Sequence, residues 1–260
     1  MSRALPRKFK VVNKQFITQN MLRVTLQQTD NNPLPANQDG GYIKLHFPRP
    51  GVLNNDIEKQ ILSEDTQCRP LLRTYTICQQ RSDLNEIDID FVVHEIGPAS
   101  QWALSCVTSD VMYIAGPGKI KFIDPTADWF LILGDMTALP AISANLARLP
   151  ADAKGYGVVE VVSEDDIQAL RVPDGFELIW LVNTQLHNTS ALLHKIKNLP
   201  LLEGTPSVWS ACEFDAIANL RDHFYKTLSI SKRDVYASSY WKRGLNEEQH
   251  REAKRAALNN

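Results

Sequence analysis

Residues 71 to 81 read LLRTYTICQQR, which sets Arg73, Tyr75 and Thr76 within four positions between apolar neighbours. On a strand, Arg73 and Tyr75 share one face and Thr76 points to the other. These side chains suit a flavin. A guanidinium fork pairs with phosphate, a phenol ring can lie on an isoalloxazine face, and a hydroxyl can hydrogen-bond its N5 edge. They equally suit a half-exposed barrel strand with a snorkelling arginine and an amphipathic tyrosine.

A second group lies in FVVHEIGPASQWAL, residues 91 to 104. A strand ends at His94, Gly97 and Pro98 turn the chain, and a short helix follows. Its first-turn N–H groups and the Ser100 hydroxyl offer an anion site, to which His94 can add a hydrogen bond. The alternative is a plain turn with a satisfied strand-end histidine. A third group, ILGDMTALPAI at 132 to 142, sits at the strand-to-helix junction where open α/β sheets bind ligands. It has one glycine where a dinucleotide fingerprint has three. The Asp135 carboxylate would compete with a pyrophosphate for the helix N-terminus, and the acids of SEDD at 163 to 166 would repel a 2′-phosphate. NADPH fits poorly here and NADH somewhat better. Lys44, Lys119, Lys121, Lys242 and Arg243 fall near strand ends. Each alone reads as a solvated charge; converging, they would hold a polyanion.

The elements that carry these groups change character along the chain. KFKVVNKQFIT, MLRVTLQQT, GYIKLHF, LLRTYTICQQR, EIDIDFVVH and VMYIAGP are strand-like segments at a spacing that predicts a barrel or sandwich. Residues 48 to 70 read as a loop. Beyond about residue 125, continuous apolar strands (WFLILGD, GYGVVEVVS, FELIWLVN, PSVWSACE, DVYASSYW) alternate with helical segments, which predicts a parallel sheet with helices on its faces. The expected domains are 1–125, a β-barrel, and 126–260, an α/β domain with a helical tail. That tail starts at Asn246, an N-cap with Glu248 and Gln249 in the first turn, and its few apolar residues predict a solvated helix, with a docked or mobile lid as the alternative.

The 260 residues are 43% hydrophobic and 22% charged, with a formal net charge of −2. That balance disfavours nucleic acid or a polybasic membrane contact. Cys68, Cys78, Cys106 and Cys212 form no C-x-x-C pair, so spacing supports neither zinc nor an iron–sulfur cluster. Scattered thiols and an N-terminus without an apolar run point to the cytoplasm, and no apolar run is long enough to span a bilayer.

The order Arg-x-Tyr-Thr, His-x-x-Gly-Pro-Ala-Ser-x-Trp, Ala-Gly-Pro-Gly, Gly-Asp-x-Thr-Ala-Leu-Pro-Ala and Tyr-Trp-Lys resembles the siderophore-interacting proteins. These are FAD-containing ferric-siderophore reductases of the ferredoxin–NADP reductase superfamily. The likeness runs from about residue 8 to 244. It implies an N-terminal antiparallel FAD-binding barrel of ferredoxin-reductase type and a C-terminal α/β parallel sheet of NAD(P)-binding type. It places Arg73 at the flavin phosphates, Tyr75 at the ring or ribityl chain and Thr76 near N5. His94, Gly97, Ala99 and Ser100 would hold the pyrophosphate end, which favours FAD over FMN. Asp135, Thr137, Ala138 and Trp241 would lie close to the flavin or its adenine, and Lys44, Lys119 and Lys242 around the substrate. Cys78 departs from the pattern: many members carry a second arginine there, and here the next arginine is Arg81. The implied reaction is cytoplasmic reduction of an anionic ferric siderophore to release Fe(II), with electrons from reduced ferredoxin or NAD(P)H. The long tail resembles the ferredoxin-preferring members. No residue is assigned as a general acid or base, none as a metal ligand, and the chain is expected to be monomeric. The alternatives are an NADH-dependent flavin or ferredoxin reductase, and a siderophore carrier without turnover.

Overall fold

The structure, a computed structural model, describes residues 5–51, 56–93, 97–184 and 189–258. The chain divides into two compact units, residues 1–120 and 121–260.

In the first unit the described residues form strands β1 (Arg7–Thr18), β2 (Met21–Gln28), β3 (Tyr42–Phe47), β4 (Leu71–Arg81), β5 (Glu86–Val92) and β6 (Val111–Ala115). They close into a barrel in the order β1-β2-β5-β4-β3-β6, every pair antiparallel. Period-two patterning drives the closure. In β3, Ile43, Leu45 and Phe47 face the core while Tyr42, Lys44 and His46 face outward. Burying a side chain such as Ile43 or Leu45 contributes about 2 kcal/mol. The sheet has no free edge within the barrel, which removes a site for unwanted pairing.

The stretch from 48 to 70, expected as loop, contains a short helix, α1 (Ile57–Leu62), and a 3₁₀ turn at Thr66–Cys68. Asp56 accepts from the Glu58 N–H and Asp65 from the Gln67 N–H. Both are local carboxylate caps, and burial of Gln60 and Ile61 fixes the helix face. A second helix, α2 (Pro98–Ser105), packs on the barrel through Ala99, Ala103 and Trp102.

The second unit is a parallel five-stranded sheet in the order β11-β10-β7-β8-β9. Its strands are β7 (Trp129–Asp135), β8 (Gly155–Val161), β9 (Phe176–Val182), β10 (Pro206–Glu213) and β11 (Val235–Trp241). Its helices are α3 (Leu139–Leu146), α4 (Ala191–Lys197), α5 (Phe214–Asp222) and α6 (Glu247–Leu258). β7 is buried from Trp129 to Gly134, as a central strand covered on both faces must be. Because β8 and β9 lie to one side of β7 and β10 and β11 to the other, the order reverses between β7 and β10.

α6 opens with a capping box: Asn246 Oδ1 accepts from Gln249 N at 2.9 Å and Gln249 Oε1 accepts from Asn246 N at 3.0 Å. Residues 249, 251, 252 and 255–257 are exposed, as a solvated helix requires, but one face docks. His250 is only 6% exposed, its Nε2 lies 2.9 Å from Ser239 Oγ, and its ring meets Phe214 edge-on. Lys254 Nζ donates to Ser239 O at 2.9 Å, and Arg221 donates to Ala237 O. Cationic side chains thus cap carbonyls along the edge strand β11. Polar anchors, rather than an apolar stripe, dock this helix. Among the described residues no helix is long and apolar enough to cross a membrane.

Candidate functional site

Two groups of candidate residues form, one in each unit. In the barrel, β4 pairs with β3 so that Arg73 faces Leu45, Tyr75 faces Ile43 and Thr76 faces Tyr42. Arg73 and Tyr75 therefore lie on one face and Thr76 on the other, 7% exposed. The Tyr75 ring rests 4.5 Å from that of Phe91, Phe91 lies 5.8 Å from Trp102, and Trp102 lies 6.0 Å from Phe47. This aromatic chain fastens α2 to the strands beside β4. Gly97, the residue before α2, has φ of 131°, a conformation that costs little only without a Cβ. First-turn amides of a helix have no acceptor one turn back. Pro98 lacks an N–H, so Ala99 and Ser100 carry the donors at this end. His94 lies outside the described residues.

Lys44 and Lys119 also belong to this unit. Lys44 points outward, opposite Thr74 and Ala115. Lys119 is exposed and follows Gly118, whose N–H donates to Tyr42 O at 2.8 Å. A Cβ at Gly118 would coincide with the Tyr42 ring, so position 118 cannot carry a basic side chain while Tyr42 holds its place. Tyr42 itself escaped the sequence reading. Its only signal was period two: an aromatic residue two positions before Lys44.

The departure at Cys78 has a structural partner. A register shift between β4 and β5 sets Cys78 off the ladder. Arg23 donates to its sulfur at 3.0 Å and grips Asp90 with two bonds of 2.7 and 2.8 Å. Burial foremost, then the Asp90 charge, pushes the Cys78 thiol up to about 12. Arg81 does not substitute for the missing arginine. It forks onto Asp88 with two 2.7 Å bonds and reaches Glu86 at 3.1 Å.

In the second unit the candidates gather where the strand order reverses, the position at which such sheets bind ligands. Asp135 Oδ1 accepts from Thr137 N at 2.9 Å and Thr137 Oγ1 at 2.5 Å. Its Oδ2 accepts from Trp241 Nε1 at 2.8 Å and Glu213 N at 3.1 Å. One carboxylate thus ties β7, β10 and β11 together, with Ala138 buried beside it. Gly134 permits this approach, since a Cβ there would sit 2.9 Å from Ala138 Cβ and 2.6 Å from Ala211 O. Burial raises the Asp135 pKa although all four bonds oppose the shift. Two acids missed in the sequence line the same strand ends. Glu213 caps α5 through the Asp215 and Ala216 N–H groups at 2.5 and 3.1 Å and accepts from Arg243 N at 3.3 Å. Glu160 accepts from Asn183 Nδ2 at 3.0 Å, and burial raises it to about 7. Burial also holds the nearby Cys212 thiol well above its ordinary value, so it is no nucleophile at neutral pH.

Lys242, the residue directly after β11, is held rather than free. Its Nζ lies 2.9 Å from Asp215 Oδ1 and 4.0 Å from the centre of the Phe214 ring.

Residues 10–120 match the family model of the siderophore-interacting FAD-binding domain, and residues 127–244 that of the siderophore-interacting protein. The chain is similar to the ferric vibriobactin reductase ViuB of Vibrio cholerae serotype O1, 35% identical over an alignment of 263 positions that covers 99% of this chain and 97% of that one. It is similar to the crystal structure of the siderophore-interacting protein SipS from Aeromonas hydrophila, 32% identical with a TM-score of 0.85, over 98% of this chain and 99% of that one. The ferredoxin reductase of carbazole 1,9a-dioxygenase, 14% identical, shares the fold with a TM-score of 0.59 over 90% of this chain and 66% of its own. The barrel fits an FAD by its donor chemistry. Arg73 supplies a guanidinium, the glycine-led turn of α2 supplies backbone amides, and Tyr75 and Thr76 supply a ring and a hydroxyl on the same strand.

Proposed function

The chain belongs to the siderophore-interacting protein family, and from that premise we propose that it is a cytoplasmic FAD-dependent ferric-siderophore reductase with reduced ferredoxin as the preferred electron donor. The single observation that carries the reading is the barrel's donor set: Arg73, Tyr75 and Thr76 on β4, joined by an aromatic chain to the Gly97-led turn of α2.

When bound, FAD supplies the electron transfer. The protein's residues bind and orient. Arg73 and the Ala99 and Ser100 amides neutralise the phosphates, with His94 beside them by the family motif. Tyr75 covers the ring or ribityl chain, and Thr76 hydrogen-bonds the N5 edge. The substrate is a siderophore carrying Fe(III), a hard ion that oxygen ligands hold far more tightly than Fe(II). One electron therefore releases the metal, and the protein need supply neither an iron ligand nor a general acid or base. Lys44, Lys119 and Lys242 attract the anionic chelate against a net-negative chain.

The donor assignment rests on the second unit. At the reversal of strand order, Asp135 and Glu213 already cap the following turns with their own carboxylates. A dinucleotide pyrophosphate would meet these charges where it needs amides. Exposed Glu164 and Asp165 after β8 add further negative charge. This favours a protein donor over NADPH, with NADH as the intermediate case.

The test is anaerobic. Purified yellow protein is mixed with NADH, NADPH or reduced ferredoxin while the flavin band at ~450 nm is followed. Ferric siderophore is then added with an Fe(II) trap. Bleaching by ferredoxin, then recolouring with Fe(II) capture, is the expected result. Bleaching by NADH without reoxidation by any chelate would instead mean a flavin or ferredoxin reductase. Tight chelate binding with no Fe(II) release would mean a carrier.

A further inference from the structure

We propose that Tyr42 is an aromatic platform that selects ferric chelates whose iron ligands are aryl oxygens, an inference that rests on the reductase reading above. Tyr42 opens β3 and is 45% exposed. A lone exposed tyrosine means little, but this ring is seated. Gly118 lies directly against it, because a Cβ at 118 would overlap its Cζ, Cε1 and Cε2 atoms. The Gly118 N–H donates to Tyr42 O at 2.8 Å. The Tyr42 backbone is also paired with Thr76 across the β3–β4 ladder. The ring therefore lies against the Gly118 backbone while Tyr42 keeps 45% of its surface exposed. A ring already fixed in place loses little freedom when a ligand stacks on it.

The neighbours give the platform its chemistry. Thr76, which the family motif assigns to the flavin edge, is the direct cross-strand partner of Tyr42. Directly opposed residues on one sheet face have Cβ atoms about 5 Å apart. Lys44 stands two residues along β3 on that outward face, and exposed Lys119 follows the glycine under the ring. The platform thus combines a π-face with two ammonium groups beside the expected electron exit, all within the barrel unit. A catecholate or phenolate chelate is both planar and anionic, so it can use the ring and the lysines together. An aliphatic carboxylate chelate can use only the charges. Stacking of aromatic pairs supports about a twofold to tenfold preference.

The experiment uses the FAD-loaded full chain with ferric catecholate and ferric citrate, both anionic, as iron-labelled probes in equilibrium dialysis. The readout is the ratio of their Kd values. Tyr42→Leu should reduce the preference for catecholate about twofold to tenfold, and Tyr42→Phe should retain it. Gly118→Ala, whose new methyl group displaces the ring without altering Tyr42, should reproduce the Tyr42→Leu ratio. FAD content and Tm report folding for each variant. An unchanged ratio in both Tyr42→Leu and Gly118→Ala, or a Tyr42→Phe loss equal to that of Tyr42→Leu, would overturn the platform. If the wild-type protein binds and reduces both chelates in those cases, the reductase reading survives. If it binds neither, that reading falls and the platform with it.

Discussion

Acidification should undock the C-terminal helix, and the buried imidazole of His250 sets the pH at which it does so. Burial, with the neighbouring Lys254 and Lys242 ammonium groups, pushes the His250 pKa down to about 4 from an ordinary 6.5. Above pH 6.5 neither the docked nor the detached state carries the extra proton. Below it, the detached state takes up the proton and the docked state does not, so docking weakens by about 1.4 kcal/mol per pH unit. The loss is complete near pH 4. Between pH 7 and pH 5 it amounts to about 2 kcal/mol, or about 20-fold in the docking equilibrium. The anchors of α6, each polar bond worth about 1–2 kcal/mol net, include the 2.9 Å contact of His250 with Ser239, the bonds from Lys254 to Ser239 O at 2.9 Å and to Ser238 Oγ at 3.4 Å, and the edge-on contact with Phe214. A change of this size is therefore large for this helix. Hydrogen exchange of the 247–258 segment, corrected for the intrinsic pH dependence, should show protection falling about 20-fold from pH 7 to pH 5 while the sheet strands hold theirs. His250→Phe keeps an aromatic edge against Phe214 and removes the titration, so its protection should not vary with pH. A His250 proton resonance titrating near 6.5, or wild-type protection unchanged between the two pH values, would refute the buried neutral imidazole.

Glu160 should respond in the opposite sense. Its pKa is raised to about 7 from 4.5, chiefly by burial, so its stabilising contribution is fully present below 4.5 and lost as pH rises through 7. Glu160→Gln should therefore raise Tm at pH 8.5, by an amount worth about 2–3 kcal/mol, and leave it unchanged near pH 4.5; equal effects at both would place the carboxylate in solvent. Arg73→Ala should purify without FAD, and a fully yellow mutant would remove Arg73 from phosphate binding. Lys44→Ala with Lys242→Ala should weaken anionic chelates much more than neutral ones, which competition between charged and neutral ferric complexes would read. Asp215 holds the Lys242 ammonium at 2.9 Å on a partly exposed surface. Asp215→Asn should thus strengthen binding of anionic chelates by about twofold to fivefold at low salt, an effect absent in a Lys242→Ala background. The same gain in that background would show that Lys242 is not the group released.

The strand content of the first half follows from local rules that need no knowledge of distant residues. Alternation in YIKLHF sends Ile43, Leu45 and Phe47 inward whatever the barrel's closure, and it puts Arg73 and Tyr75 on one face. The unbroken apolar run of β7 and the N-cap chemistry of Asn246 are equally local. The helix at 57–62 was obscured because its length of under two turns leaves no periodicity to read, only the cap at Asp56 and the buried Gln60 and Ile61. Sequence alone also marked Asp135 as hostile to a pyrophosphate, because the conflict lies within one strand-to-helix turn.

What only tertiary structure decides is which distant groups meet. Glu213 and Trp241 close around Asp135 because the sheet order sets β10 and β11 on one side of β7. Lys242 is tethered because α5 presents Asp215 and Phe214 to the end of β11. Gly118 seats Tyr42, and Ser239 holds His250, through contacts between segments whose separate sequences carry no trace of the pairing. The physical reason is range. Dihedral preference, period and capping act within a turn or two and are written residue by residue. Burial, charge pairing and ring seating depend on the packing of elements far apart in sequence, and so become fixed only when the whole chain folds.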